Sequence, residues 1–89
     1  MTLGFPNQAR HFDHSKTRIC FWGYDDVMEV SFFVDASALQ KLRPKASNSK
    51  FDLLEAFDVS IDQIYAAAQR AYERGKKGSY VYLLSAADF

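Results

Sequence analysis

The sequence predicts an α+β domain: a four-stranded, mainly antiparallel sheet, in chain order β-β-β-α-α-β, with a short helix and one long helix packed on one face. Three observations predict it. Between Ser49 and Gly75, apolar side chains recur every three or four residues, at Leu53, Leu54, Phe57, Ile61, Ile64, Ala68, Ala71 and Tyr72. That is the spacing of a helix lying on a core. Ahead of it, Arg18 to Tyr24 and Val27 to Val34 alternate like strands with one buried face. Behind it, Ser79 to Leu84 carries Tyr-Val-Tyr-Leu-Leu, residues that suit a pleated sheet.

Taken in order, Met1 to Gln8 is a short arm in which Leu3 and Phe5 pack as a brief extended piece before Pro6-Asn7 turns the chain. Arg10 to Phe12 reads as a short strand, followed by the polar turn Asp13-His14-Ser15-Lys16-Thr17. In the next strand Ile19 and Phe21 point one way, and Cys20, Trp22 and Tyr24 the other. Asp25-Asp26 connects to a strand in which Met28, Val30, Phe32 and Val34 share a face, opposite Glu29, Ser31 and Phe33. Asp35 caps a short helix, Ala36 to Leu42, which Pro44 stops. Lys45 to Ser49 is a polar loop, and Ser85 to Phe89 closes the chain with one helical turn. No internal repeat, low-complexity tract or dividing linker interrupts it.

The long helix begins at Ser49, with Asp52 three residues on in an approximate capping box, and Gly75 reads as a left-handed stop. Acidic residues fill its first half and Arg70, Arg74, Lys76 and Lys77 its end, as the helix dipole favours. From Lys50 to Arg74 it would be roughly 37 Å long at about 1.5 Å per residue. A domain of this length has a radius of gyration of about 12 Å and a diameter near about 31 Å. The helix must therefore span the domain, protrude or break. Val59, opposite the stripe in Asp58-Val59-Ser60, marks the place for a break, where Ser60 with Gln63 would cap a second helix. Because the stripe keeps its phase across that point, one continuous helix is expected.

Eighty-nine residues allow one domain, 1–89, with one core. Hydrophobic content of 48% and aromatic content of 16% are ample for a globular fold and exclude intrinsic disorder. A domain this small, without staples, must pack well or associate. Eleven acidic and eleven basic side chains cancel, so there is no long-range pull toward nucleic acid or anionic membrane. The single cysteine, Cys20, fits a reducing compartment. The first residues, Met-Thr-Leu-Gly-Phe-Pro, have neither a basic nor an apolar leader region, and no apolar run approaches membrane-spanning length. A soluble cytoplasmic protein is the expectation.

The candidates for chemistry are weak. His11, His14 and Cys20 invite a metal reading, but zinc sites use four ligands in paired spacings, and alternation sends the two histidines to different sides. Cys20, between Ile19 and Phe21, lacks the electropositive setting that makes a thiol nucleophilic. Asp25-Asp26 are turn residues rather than a catalytic carboxylate pair. Gly75-Lys76-Lys77-Gly78-Ser79 lacks the strand–loop–helix order of a phosphate-binding loop and follows a helix C-terminus, where the dipole repels anions. No enzyme, no cofactor and no metal are expected.

If Ile19, Phe21, Val30 and Phe32 meet the long helix, the other sheet face carries Trp22, Tyr24, Phe33 and, by the same alternation, Tyr80 and Tyr82. A solvated sheet face normally turns polar, and large apolar patches mark contact sites. Three readings follow. The N-terminal arm and the short helix cover this face; or it pairs with a protein partner or a second copy; or it stacks single-stranded nucleic acid, with Arg18, Arg74, Lys76 and Lys77 supplying charge.

Several segments resemble one family. They are Phe5-Pro6-Asn7, Phe21-Trp22-Gly23-Tyr24-Asp25, Phe32-Phe33-Val34, Leu54-Glu55-Ala56-Phe57-Asp58, Tyr72-Glu73-Arg74-Gly75, Ser79-Tyr80 and Ala87-Asp88-Phe89. Over nearly the whole chain they are similar to short bacterial proteins carrying the domain of unknown function 1488. The resemblance implies a small single-domain α+β bacterial protein. It brings no activity, cofactor or catalytic residue. The expected function is therefore non-catalytic, acting through protein contacts at Trp22, Tyr24, Phe33, Tyr80 and Tyr82, with the nucleic-acid module as the alternative.

Overall fold

The centre of the sheet is a hairpin, β3 (Arg18–Asp25) and β4 (Met28–Asp35), paired antiparallel along its whole length from Arg18↔Asp35 to Asp25↔Met28. Asp26 makes its tight turn with φ of 58°, a left-handed conformation that aspartate tolerates better than most residues. The computed structural model describes residues 3–6, 8–75 and 80–89. β2 (Arg10–Asp13) pairs with the first half of β3, and β1 (Leu3–Gly4) pairs with the second half, so the two lie end to end along one edge. The sheet thus has five strands rather than the expected four, because β2 leaves the far end of β3 unpaired and the arm fills it. β5 (Val81–Leu84) joins β4 in parallel and forms the opposite edge.

Between β4 and β5 the chain forms α1 (Ala36–Leu42), α2 (Lys50–Val59) and α3 (Ile61–Arg74), and a 3₁₀ turn, Ala86–Asp88, follows β5. Asp35 caps α1 by accepting from the Ala38 N–H at 2.9 Å. Ser49 caps α2 by accepting from the Asp52 N–H, while Asp52 reaches back past it to the Ser47 N–H at 3.0 Å. All eight stripe positions are buried or half-buried, so the face of the helical segment is as expected.

Its continuity is not. The long helix is two helices, broken at Ser60, whose ψ of 17° interrupts the regular turn. Its N–H is shared between the Ala56 and Phe57 carbonyls at 3.2 Å each, and its hydroxyl caps nothing. The domain's longest axis is 36 Å, with a radius of gyration of 12.4 Å. A straight rod would need all of that length. The bend lets Leu53 and Phe57 on α2 and Ile64 and Ala68 on α3 bury against the same sheet. Gly75 is also not a left-handed stop: its φ is −68°. Space is tight there, since a Cβ would lie 2.5 Å from the Tyr82 ring and that ring would have to shift.

The core lies between the helices and the sheet face formed by Phe12, Ile19, Phe21, Val30, Phe32, Val34 and Leu84. The arm closes one end. Phe5 lies flat on Tyr65, ring centroids 4.0 Å apart, and touches Phe21 and Phe32. It can do so because β3 has glycine at position 23: a Cβ there would meet Phe5 at 2.9 Å, Leu3 at 3.0 Å and the Gly4 carbonyl at 3.1 Å. The Pro6-Asn7 turn falls partly outside the described residues, at Asn7. At the same end of the sheet the Tyr72 hydroxyl donates to the Asp25 carboxylate, which stands opposite Leu3 of the arm, tying α3 to the end of β3.

Two predictions follow from these contacts. Gly23→Ala displaces the arm and destabilises the fold by about 1–3 kcal/mol, the usual cost of overpacking; an unchanged urea midpoint would remove this role for the glycine. The hydrogen bond to Asp25 holds the Tyr72 phenol up to about 12, from a usual 10. The folded chain therefore binds that proton more tightly, which adds stability below about pH 10 that is lost as pH rises to about 12. Stability over that range should fall more steeply in the wild type than in Tyr72→Phe, and parallel curves would mean that the bond contributes nothing.

Candidate functional site

The ladder registers fix what the reverse of the sheet displays. Alternation sends Arg18, Cys20, Trp22 and Tyr24 of β3 away from the helices, with Glu29, Ser31, Phe33 and Asp35 of β4, His11 and Asp13 of β2, and Val81 and Leu83 of β5. Across the sheet these form rows. His11, Cys20, Phe33 and Leu83 stand side by side, and Trp22, Ser31 and Val81 form the next row. Among the described residues, neither the arm nor α1 packs its apolar side chains on them. Phe5 packs on the helix side, and α1 buries Ala38 and Leu39 in the core. Val81 and Leu83 are 60% and 67% exposed, and Trp22, Tyr24 and Phe33 are half-buried.

Polar groups on this face are tied to it. The Arg18 guanidinium lies 3.8 Å from the centroid of the Phe33 ring and donates to Asp13 at 3.0 Å. Hydrogen bonds from Ser15, then that from Arg18, hold the Asp13 carboxyl below its usual range. At the other end the Tyr24 hydroxyl donates to Glu29 at 3.1 Å, which pushes the phenol up. Burial pushes the Cys20 thiol up, the direction opposite to that of a nucleophile. His11 faces Cys20 across the ladder, while His14 stands edge-on to Phe12 with ring centroids 4.8 Å apart. Among the described residues no group of three or more histidine, cysteine, aspartate or glutamate side chains could hold a metal ion.

Of the five expected contact residues, three lie on this face and two do not. Tyr82 is opposite Phe32 in the parallel register, stacks on it at 5.4 Å and meets Tyr72 edge-on at 5.7 Å. It is a core-side residue. Tyr80, two residues earlier and 46% exposed, continues the ladder through its carbonyl, which accepts from the Ser31 N–H, so alternation puts it on the same side as Tyr82. Their places on the reverse face belong to Val81 and Leu83. Every residue from Tyr80 to Leu84 is apolar or aromatic, so the sequence offers no polar position to set the strand's phase. The phase is set by the pairing with β4, which buries Leu84 in the core.

Of the expected basic cluster, the two described members lie apart. Arg18 is on the reverse face, whereas Arg74 ends α3 in the helix layer and pairs with Asp88 at 3.3 Å. Lys76 and Lys77 lie outside the described residues. Arg18 shares its face with three carboxylates, Asp13, Glu29 and Asp35. No helix among the described residues is long and apolar enough to cross a membrane.

Comparison with known proteins adds the family. No curated protein matches the chain. Among solved structures, a protein of unknown function from the DUF1488 family of Shewanella loihica PV-4 is similar, with a TM-score of 0.75 and 17% identity. The similarity covers 90% of this chain and 89% of that one. At that identity the likeness establishes the fold alone. The family model described as "Protein of unknown function (DUF1488)" matches residues 3–84, and over that span, nearly the whole fold, the chain belongs to the DUF1488 family.

Proposed function

We propose that this protein is a non-catalytic contact module that binds another protein surface through the reverse face of its sheet. The observation that carries the reading is the pair of adjacent rows on that face, Phe33 beside Leu83 and Trp22 with Val81 across Ser31, which run from the centre of the sheet to its exposed edge. Half-buried aromatics held by their neighbours lose little side-chain freedom on binding, which is why tryptophan and tyrosine dominate energetic centres of interfaces. Arg18, over the Phe33 ring and fixed by Asp13, adds a polar rim group.

The charge on this face supports a protein partner over single-stranded nucleic acid. One guanidinium among three carboxylates repels a phosphate backbone, and stacking platforms for nucleic acid sit in basic grooves. The non-catalytic part of the reading is supported by the Cys20 thiol, which burial pushes up against the smaller opposing pull of Arg18.

Trp22→Ala and Phe33→Ala should leave the fold intact by circular dichroism and weaken association about tenfold or more, a truncation cost of about 1.4 kcal/mol or above. Sedimentation of the purified protein, with affinity capture by wild type and variants in parallel, reads that change. Association unaffected by both substitutions sinks the proposal, and salt-sensitive retention of a single-stranded oligonucleotide would point to nucleic acid instead.

A further inference from the structure

The two edges of the sheet are not alike. Along one, β2 carries Arg10, His11 and Asp13, with Arg10 held to Asp58 of α2 by two hydrogen bonds of 2.7 and 2.8 Å. Charges of this kind guard an edge against pairing with another chain. The other edge, β5, has no such guard. From Tyr80 to Ser85 there is no charge and no proline, and Tyr80, Val81 and Leu83 account for three of the seven large exposed apolar side chains among the described residues.

The parallel register also fixes which backbone groups of β5 look outward. Ser31 N–H donates to the Tyr80 carbonyl at 2.8 Å, and Ser31 is opposite Val81. In a parallel ladder this turns the N–H and C=O groups of Tyr80, Tyr82 and Leu84 toward β4 and those of Val81 and Leu83 away from it. Outward backbone groups and exposed side chains therefore fall on the same two residues.

We infer that the partner at this edge is a second copy of the chain, its β5 antiparallel to the first about a two-fold axis at Tyr82, which makes one sheet continuous across the dimer. The inference goes beyond the contact reading above: it adds an edge interface beside the reverse face. The register is self-complementary. Val81 stands opposite Leu83 of the partner subunit and Leu83 opposite the partner's Val81, each pair exchanging both backbone hydrogen bonds. Because the axis falls on a residue, like faces meet. Val81 and Leu83 of the two copies form one apolar cluster that extends the Phe33 and Trp22 rows, and Tyr82 meets the partner's Tyr82 on the helix side. Nothing charged is brought together along the strand, and a net charge of zero leaves no long-range repulsion between copies.

Amide hydrogen exchange across a concentration series, alongside sedimentation, tests this directly. The Val81 and Leu83 amides should become protected as protein concentration rises, while the Tyr82 and Leu84 amides, committed to β4, are protected at every concentration. Leu83→Pro removes only an outward N–H, a position where an edge strand accepts proline, so the fold survives and the dimer dissociation constant rises at least about tenfold. Leu83→Lys, which keeps the backbone donor but adds like charge near the axis, should weaken the dimer in the same direction. If the protein self-associates while the Val81 and Leu83 amides exchange at a constant rate, the edge is not the interface, although the contact face survives. If it remains monomeric throughout, the second-copy inference falls and the face is left to a different protein.

Discussion

Phe21 and Phe32 face each other across the central hairpin, their rings 5.3 Å apart and tilted by only 18°, and the rest of the fold is arranged around that pair. Phe57 of α2 meets Phe21 edge-on at 5.3 Å, Phe5 of the arm touches both rings at 6.0 Å, and Tyr82 of β5 extends the stack from Phe32 at 5.4 Å. One cross-strand pair is thus contacted by an arm, a helix and an edge strand. Such aromatic contacts are worth about 0.5–1.5 kcal/mol each beyond the area they bury. A register slip of one residue would turn both rings outward and lose every one of these contacts together. The pairing of β3 with β4 is therefore specified far more strongly than backbone hydrogen bonds alone would specify it.

That constraint determines the reverse face by exclusion. Once positions 19, 21, 30, 32 and 34 are committed to the helices, positions 18, 20, 22, 24, 29, 31, 33 and 35 must stand on the other side. The sequence places Trp22 and Phe33 among them, together with enough charge to prevent collapse of the face into a second core. Arg18 spans both roles. Its guanidinium covers the Phe33 ring and neutralises Asp13, so the aromatic surface is bounded by fixed polar groups rather than by mobile ones.

Much of this was legible because the signals are local. Asp35 followed by Ala36–Leu42 and Pro44 defines a capped, stopped helix with no reference to the rest of the molecule. The alternation in 18–24 and 27–34 fixes two faces within a few residues. What was not legible depended on distant contacts. The phase of β5 is set by its pairing with β4, and a strand that is apolar at every position satisfies either phase by its own composition. Gly75 is crowded by the Tyr82 ring rather than set at a positive φ, and no local pattern distinguishes the two situations. The arm forms a strand only because β2 is too short to cover β3.

The break at Ser60 has a different lesson. Hydrophobic periodicity measures rotation about a helix axis and is blind to bending of that axis, so a stripe in perfect phase is compatible with a straight rod or with two shorter helices. Length is the quantity that discriminates, and a rod of roughly 37 Å against a longest dimension of 36 Å leaves no margin. The bend converts excess length into coverage. α2 carries Leu53, Ala56 and Phe57 over the end of the sheet near β2, while α3 takes Tyr65 to the arm, and Tyr72 to Asp25 and Tyr82. A straight helix could not serve both ends of this layer. Because the helices spend their apolar surface on one side of the sheet, none of it reaches Trp22, Phe33, Val81 or Leu83, and the uncovered face is a consequence of how the core is closed.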